Sequence, residues 1–219
     1  YEVVDDNFSS IFEKFPVIMI SDDANRVTVS ETILEKLVCQ FLNIGHRVGT
    51  LNLNYCGIEE VEEECLSERL ANVDYLFSLI GNKLKIIKEG TFRNINVQYI
   101  MLDENLITTI ENDAFVNLSK LETLIIRNNQ LHTLNSNAFL STPKLTTLDM
   151  SMNYITSLRE NQFAFLKSKN LTTLWFRFNN ITTISDKVFN KMTANSLKLD
   201  LSNNFIEILP TAIFEDTIE

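Results

Sequence analysis

Apolar and polar positions along this chain follow one recurring phrase. Leu121, Leu124, Ile126, Asn129, Leu131, Leu134 and Phe139 spell L-x-x-L-x-L-x-x-N-x-L-x-x-L with a phenylalanine a few residues on. The next copy runs Leu145, Leu148, Met150, Asn153, Ile155, Leu158, Phe163. The polar position inside the phrase is the best ruler: Thr32, Cys56, Asn82, Asn105, Asn129, Asn153, Asn179 and Asn204, at steps of 24, 26, 23, 24, 24, 26 and 25 residues. A second column keeps the same time: Phe41, Leu66, Phe92, Phe115, Phe139, Phe163, Phe189 and Phe214. Two independent columns holding register from residue 24 onward leave no room for chance alignment.

The alternation at the start of each phrase is that of a short strand, whose side chains point to opposite faces in turn. Leu124 and Ile126 are expected inside, with Thr123, Ile125 and Arg127 outside. One such coil cannot bury its apolar side alone, so coils stack and share a continuous core. The spacing lies within the range of about 20–29 residues typical of leucine-rich repeats. The predicted fold class is therefore an α/β solenoid. It is a leucine-rich repeat horseshoe, with a parallel sheet on its concave face and an irregular or short-helical convex side. The asparagine supplies donors and an acceptor to backbone groups that leave the sheet and would otherwise be buried unpaired. The phenylalanines fill the convex side of the core, which accounts for 15 Phe in 219 residues.

The organisation expected is an amino-terminal segment and capping hairpin over residues 1–23, then a repeat domain over 24–219. Val17–Ile20 and Val27–Val29 read as strands around a polar loop, the second forming the first rung. The pattern runs to Phe214 with no polar cap after it. The expectation is that further chain or another molecule covers that end. A start at Tyr1 reads as a mature or trimmed product.

Of three cysteines, Cys56 takes a ladder position and reads as a buried thiol. Cys39 and Cys65 lie beside the phenylalanine column on adjacent coils, whose strands sit roughly 5 Å apart. That is close to disulfide reach. A Cys39–Cys65 bond would staple the cap and imply an oxidising compartment; two core thiols are the alternative. Four N-x-S/T triplets, at Asn7, Asn117, Asn170 and Asn180, are glycosylation candidates. None falls on the outward strand columns, so sugars there are expected to leave the concave face bare. Secretion is the compartment these features favour.

Outward strand positions define the candidate surface. The central column is Thr28, Asn52, Ser78, Met101, Ile125, Asp149, Trp175 and Asp200. Before it run Arg26, Thr50, Leu76, Tyr99, Thr123, Thr147, Thr173 and Lys198. After it come Ser30, Asn54, Ile80, Asp103, Arg127, Ser151, Arg177 and Ser202, then Glu31, Tyr55, Gly81, Glu104, Asn128, Met152, Phe178 and Asn203. Two groups are too apolar for solvated positions. Leu76, Ile80, Tyr99, Met101 and Ile125, with Arg127 beside them, form one; Met152, Trp175, Arg177 and Phe178 form the other. Contiguous exposed apolar patches mark interaction sites, and Trp, Tyr and Arg are enriched among energetic anchors. These ten residues are the candidate partner-binding set. The alternative is that Trp175, Phe178 and Met152 pack sideways on one another and merely close the sheet surface.

Charge narrows the functions. A formal net charge of −10 without a basic stripe disfavours nucleic acid. No apolar run approaches the roughly 20 residues of a membrane span. His46 and His132 lack partners at metal spacing, and Glu59, Glu60 and Glu62–Glu64 read as a solvated acidic turn. No cofactor, metal or enzymatic role is expected, because solenoid surfaces rarely enclose the pocket catalysis needs.

The repeat resembles the typical extracellular leucine-rich repeat over residues 24–216. A narrower resemblance rests on Val27-Thr-Val, Lys36-Leu37, Val48-Gly-Thr-Leu51-Asn52-Leu53-Asn54 and Ile58-Glu-Glu. These look like the cap and first coil of the mosquito leucine-rich repeat immune proteins. That resemblance implies a secreted, complement-like insect protein. Its partner would be a thioester-containing protein or another leucine-rich repeat protein. The cysteine-rich joint and coiled coil of that family's longer members are not found in this sequence, so their dimerisation cannot be carried over residue by residue. A receptor or adhesion ectodomain, acting by cell-surface contact or self-association, is the second reading.

Overall fold

In this computed structural model the chain is described over residues 26–28, 36–37, 48–61, 66–67, 72–166, 171–192 and 196–214. Thr32, Phe41, Cys39, Cys65, Asn7, Asn170 and the Val17–Ile20 strand lie outside the described residues. Eight strands form one sheet: Arg26–Thr28, Val48–Asn52, Val73–Ser78, Tyr99–Met101, Thr123–Ile125, Thr147–Asp149, Leu171–Trp175 and Ser196–Asp200. Each pairs in parallel with the next in chain order, as a solenoid requires. The register sets Thr28, Asn52, Ser78, Met101, Ile125, Asp149, Trp175 and Asp200 side by side, so the central outward column is one physical row.

One irregularity interrupts the row. Val48 pairs with Val73, but Thr50 pairs with Leu76, so the later strand carries an extra residue at a bulge. The 26-residue step between Cys56 and Asn82 is the trace of that insertion.

The return side of each coil is irregular, within what the repeat predicts. Among the described residues it is built mainly of turns and two-residue parallel pairs. Ile86–Ile87 pairs with Thr109–Ile110, Phe92–Arg93 with Phe115–Val116, and Ser157–Leu158 with Thr183–Ile184. A 3-10 helix spans Ser136–Phe139, its start satisfied by Asn135 Oδ1, which accepts from the Asn137 N–H at 3.2 Å. The β-branched residues at these paired positions fit a pleated surface better than a helix.

The core is a row of leucines and isoleucines backed by a phenylalanine spine. Phe92 and Phe115 stack at 5.1 Å, Phe115 and Phe139 at 5.3 Å, Phe163 and Phe189 at 5.3 Å, and Phe189 and Phe214 at 5.4 Å. Phe165 bridges the one gap, lying 5.1 Å from Phe139 and 6.3 Å from Phe163.

The asparagine ladder does what its chemistry allows. Asn129 Nδ2 donates to the carbonyls of Leu102 at 2.9 Å and Arg127 at 3.0 Å, and Oδ1 accepts from the Ile107 N–H at 2.9 Å. Asn82, Asn105, Asn153, Asn179 and Asn204 likewise each tie their own turn to the preceding coil. Cys56 has only a thiol to offer, which donates to the Asn54 carbonyl at 3.4 Å. Burial pushes that thiol's pKa up to about 11.

Candidate functional site

The residue before each ladder position is where the chain turns off the sheet. Tyr55, Gly81, Glu104, Asn128, Met152, Phe178 and Asn203 all adopt left-handed backbone, with φ of 57°, 67°, 55°, 52°, 57°, 56° and 56°. Glycine and asparagine tolerate this; for other residues it costs on the order of 1–2 kcal/mol. Tyr55, Met152 and Phe178 accept that cost and hold large side chains exposed. Gly81 has a second reason to be glycine: a Cβ there would lie 2.1 Å from the Tyr55 ring. The Tyr55 hydroxyl donates to Glu104 at 3.3 Å, and the Glu104 charge raises its pKa.

This turn divides the second predicted group. Trp175 stays on the sheet, half-buried, with Lys198 Nζ 4.9 Å and the Arg177 guanidinium 5.9 Å from its ring. Both cations are within the reach of cation–π attraction. Arg177 Nε is buried with no hydrogen-bond partner, as is Ser151 Oγ on the adjacent coil. Met152 and Phe178 instead turn to the rim. They line an open groove of about 430 Å³ with Asn128, Tyr154, Asn180 and Phe205. Among the described residues no ring contact joins Trp175 to Phe178, while Phe178 and Met152 share the groove. Asn180 lines the same rim groove as Met152 and Phe178.

The middle group holds together. Leu76, Tyr99, Met101 and Ile125 are half-buried on adjacent strands, and Ile80 is half-buried in the turn that follows the Val73–Ser78 strand. Their flank was not foreseen: Tyr75 is exposed beside Tyr99, ring centroids 4.8 Å apart. The bulge presents it, and the long repeat step was the available signal. Beside this group Arg127 Nε donates to Asp103 at 2.9 Å and lies 3.9 Å from Asp149. Asp103 is only 3% exposed, and burial raises its pKa despite that guanidinium. The Ser202 hydroxyl and N–H lower the Asp200 pKa. Elsewhere Glu59 pairs with Lys83 at 3.5 Å, and Glu60 pairs with Lys88. That is a solvated charge turn along the coil edge. Exposed Asn117 donates from Nδ2 to Asn94 at 3.0 Å, on the return side.

These features are those of a leucine-rich repeat solenoid fold. The family model described as leucine rich repeat matches residues 75–131, 95–155 and 119–168. Among solved structures, a TLR13–ssRNA13 complex aligns over 78% of this chain and 27% of its own, with TM-score 0.60 and 20% identity. The glycosylated Toll–Spatzle complex, a molecular hub in Drosophila development and innate immunity, aligns over 86% of this chain and 28% of its own, with TM-score 0.63 and 20% identity. The chain thus spans under a third of either, and the likeness establishes the fold. No curated protein matches the chain. No helix among the described residues is long and apolar enough to cross a membrane.

Proposed function

We propose that this chain is a non-catalytic, extracellular recognition module of innate immunity that binds a protein partner on its concave face. The observation that carries the reading is Trp175, half-buried on the open sheet between Lys198 and an Arg177 whose Nε has no partner. A planar ring flanked by cations suits a protein surface offering an apolar residue beside a carboxylate. Leu76, Ile80, Tyr99, Met101, Ile125 and Arg127 extend the footprint along the sheet, and Met152 and Phe178 its rim. The Toll neighbour's link to innate immunity supports this setting. The cap residues resembling the mosquito immune proteins point to a thioester-containing protein or another leucine-rich repeat protein as partner. RNA, the ligand of the TLR13 complex, is disfavoured by the charge of −10.

The test is affinity capture from the source's extracellular fluid with three variants. Trp175→Ala and Arg177→Ala are expected to lower recovery of the bound protein at least tenfold. Lys144→Ala, exposed away from the sheet, leaves it unchanged. Equal recovery by all three would sink the reading.

A second reading has its own observation. Phe205, Ile208 and Leu209 are exposed beyond the last strand, and Leu197, Leu199 and Leu201 are only partly covered. Such a surface suits self-association or contact with a further ectodomain coil. Light scattering over a concentration series checks it, a constant mass counting against self-association.

A further inference from the structure

The rim groove has an occupant within the chain's own chemistry. Asn180 lies one residue past its ladder position, and the same position holds Tyr154 on the coil before and Phe205 on the coil after. Both are large and exposed. Phe178, two residues before Asn180, completes a third aromatic wall, and all four side chains line the groove. Asn180-Ile181-Thr182 is a glycosylation triplet. The Asn180 backbone is pinned, its N–H donating to the Ile155 carbonyl at 3.0 Å, while among the described residues its exposed carboxamide makes no hydrogen bond. By contrast, Asn117 has its carboxamide engaged by Asn94. Adjacent coils are about 4.8 Å apart, so Tyr154 and Phe205 stand roughly 10 Å from each other at their backbones. That leaves room for one pyranose ring at van der Waals contact, about 3.5–4 Å, with each side.

We infer that Asn180 is an N-glycosylation site whose first sugar seats in the groove against Phe178, Tyr154 and Phe205. The aromatic rim there serves as a sugar platform. The inference rests on the extracellular reading for its natural setting. In the transfer, Asn180 Nδ2 displaces the pyrophosphate of a lipid-linked oligosaccharide at the sugar's C1. The N–C bond forms, the C–O bond to phosphate breaks, and the amide proton leaves. Transfer acts on the extended chain; the folded groove then covers the apolar faces of the attached ring. This gives a reason for Phe178 to occupy a left-handed position that Asn203 fills on the next coil and Asn128 two coils before.

The experiment expresses the full chain in insect cells behind a supplied signal peptide. Glycopeptide mass spectrometry reads occupancy, and thermal unfolding is compared for wild type, Asn180→Gln and Thr182→Ala, each with and without Phe178→Asn. The second substitution installs asparagine, which tolerates left-handed backbone and holds this position at Asn128 and Asn203, so it keeps the turn. Expected are an occupied Asn180 and a Tm lower by roughly 2–4 °C when either triplet substitution removes the sugar. That difference disappears in the Phe178→Asn background. An unoccupied Asn180, or an equal Tm difference in both backgrounds, overturns the inference. Because the signal peptide is supplied, neither result depends on natural export. Endoglycosidase sensitivity of the native protein tests that separately.

Discussion

At the scale of single residues the molecule is governed by how each turn off the sheet is satisfied. Asn129 serves three backbone groups from one buried carboxamide, so Asn129→Ala leaves donors and acceptors stranded. Each stranded group costs about 1–3 kcal/mol. The expected loss is about 3 kcal/mol or more in urea unfolding, with the same Ala change at exposed Gln130 near zero. Asp103 gives a pH signature. Burial raises its folded pKa, so between the ordinary carboxylate value and the raised one the native state binds more proton than the unfolded chain. Its contribution to stability is therefore present at low pH and lost as pH rises through that window. Asp103→Asn keeps an oxygen for Arg127 and cannot ionise. The stability difference is expected to move in the variant's favour as pH rises from the ordinary carboxylate value through the raised one, and a flat difference would contradict the assignment. The ladder was legible in the sequence because its spacing is rigid. The direction of Phe178 was not, since strict strand alternation says nothing of a left-handed residue at the strand's end.

Among elements, the phenylalanine spine and the bulged strand are the informative pieces. The column Phe92 to Phe214 was readable from spacing alone, and its rings stack on either side of a break between Phe139 and Phe163. Phe165 stands outside the column, and nothing in the periodicity marks it as the ring joining Phe139 to Phe163. Phe165→Ala opens a cavity inside the spine and is expected to cost about 3–5 kcal/mol. Phe214→Ala, at a half-exposed ring, costs clearly less. Calorimetry of the two variants side by side checks the ordering. The bulge in Val73–Ser78 was present in the sequence only as a long step. A length cannot say which side chain an inserted residue exposes, and here it is Tyr75. The return side is irregular, as expected, but which short form each coil takes was not legible. Short apolar runs carry no period long enough to separate a helix turn from a two-residue strand.

As a whole the molecule presents one continuous sheet whose central column and the column before it fall in register as the repeat lays them out, while the last column turns off the sheet. Its surface is acidic on average, yet the carboxyl-terminal half of the sheet concentrates Arg177 and Lys198 around the chain's single tryptophan. That concentration is the basis for placing a protein partner there. It also supplies an internal probe, because all indole emission comes from Trp175. The most direct measurement is a fluorescence titration of the chain with the protein it captures, with binding followed independently by light scattering. If the partner covers the concave sheet, Trp175 emission shifts to the blue and saturates at the binding stoichiometry. Saturating binding with unchanged emission would place the partner elsewhere and contradict the account.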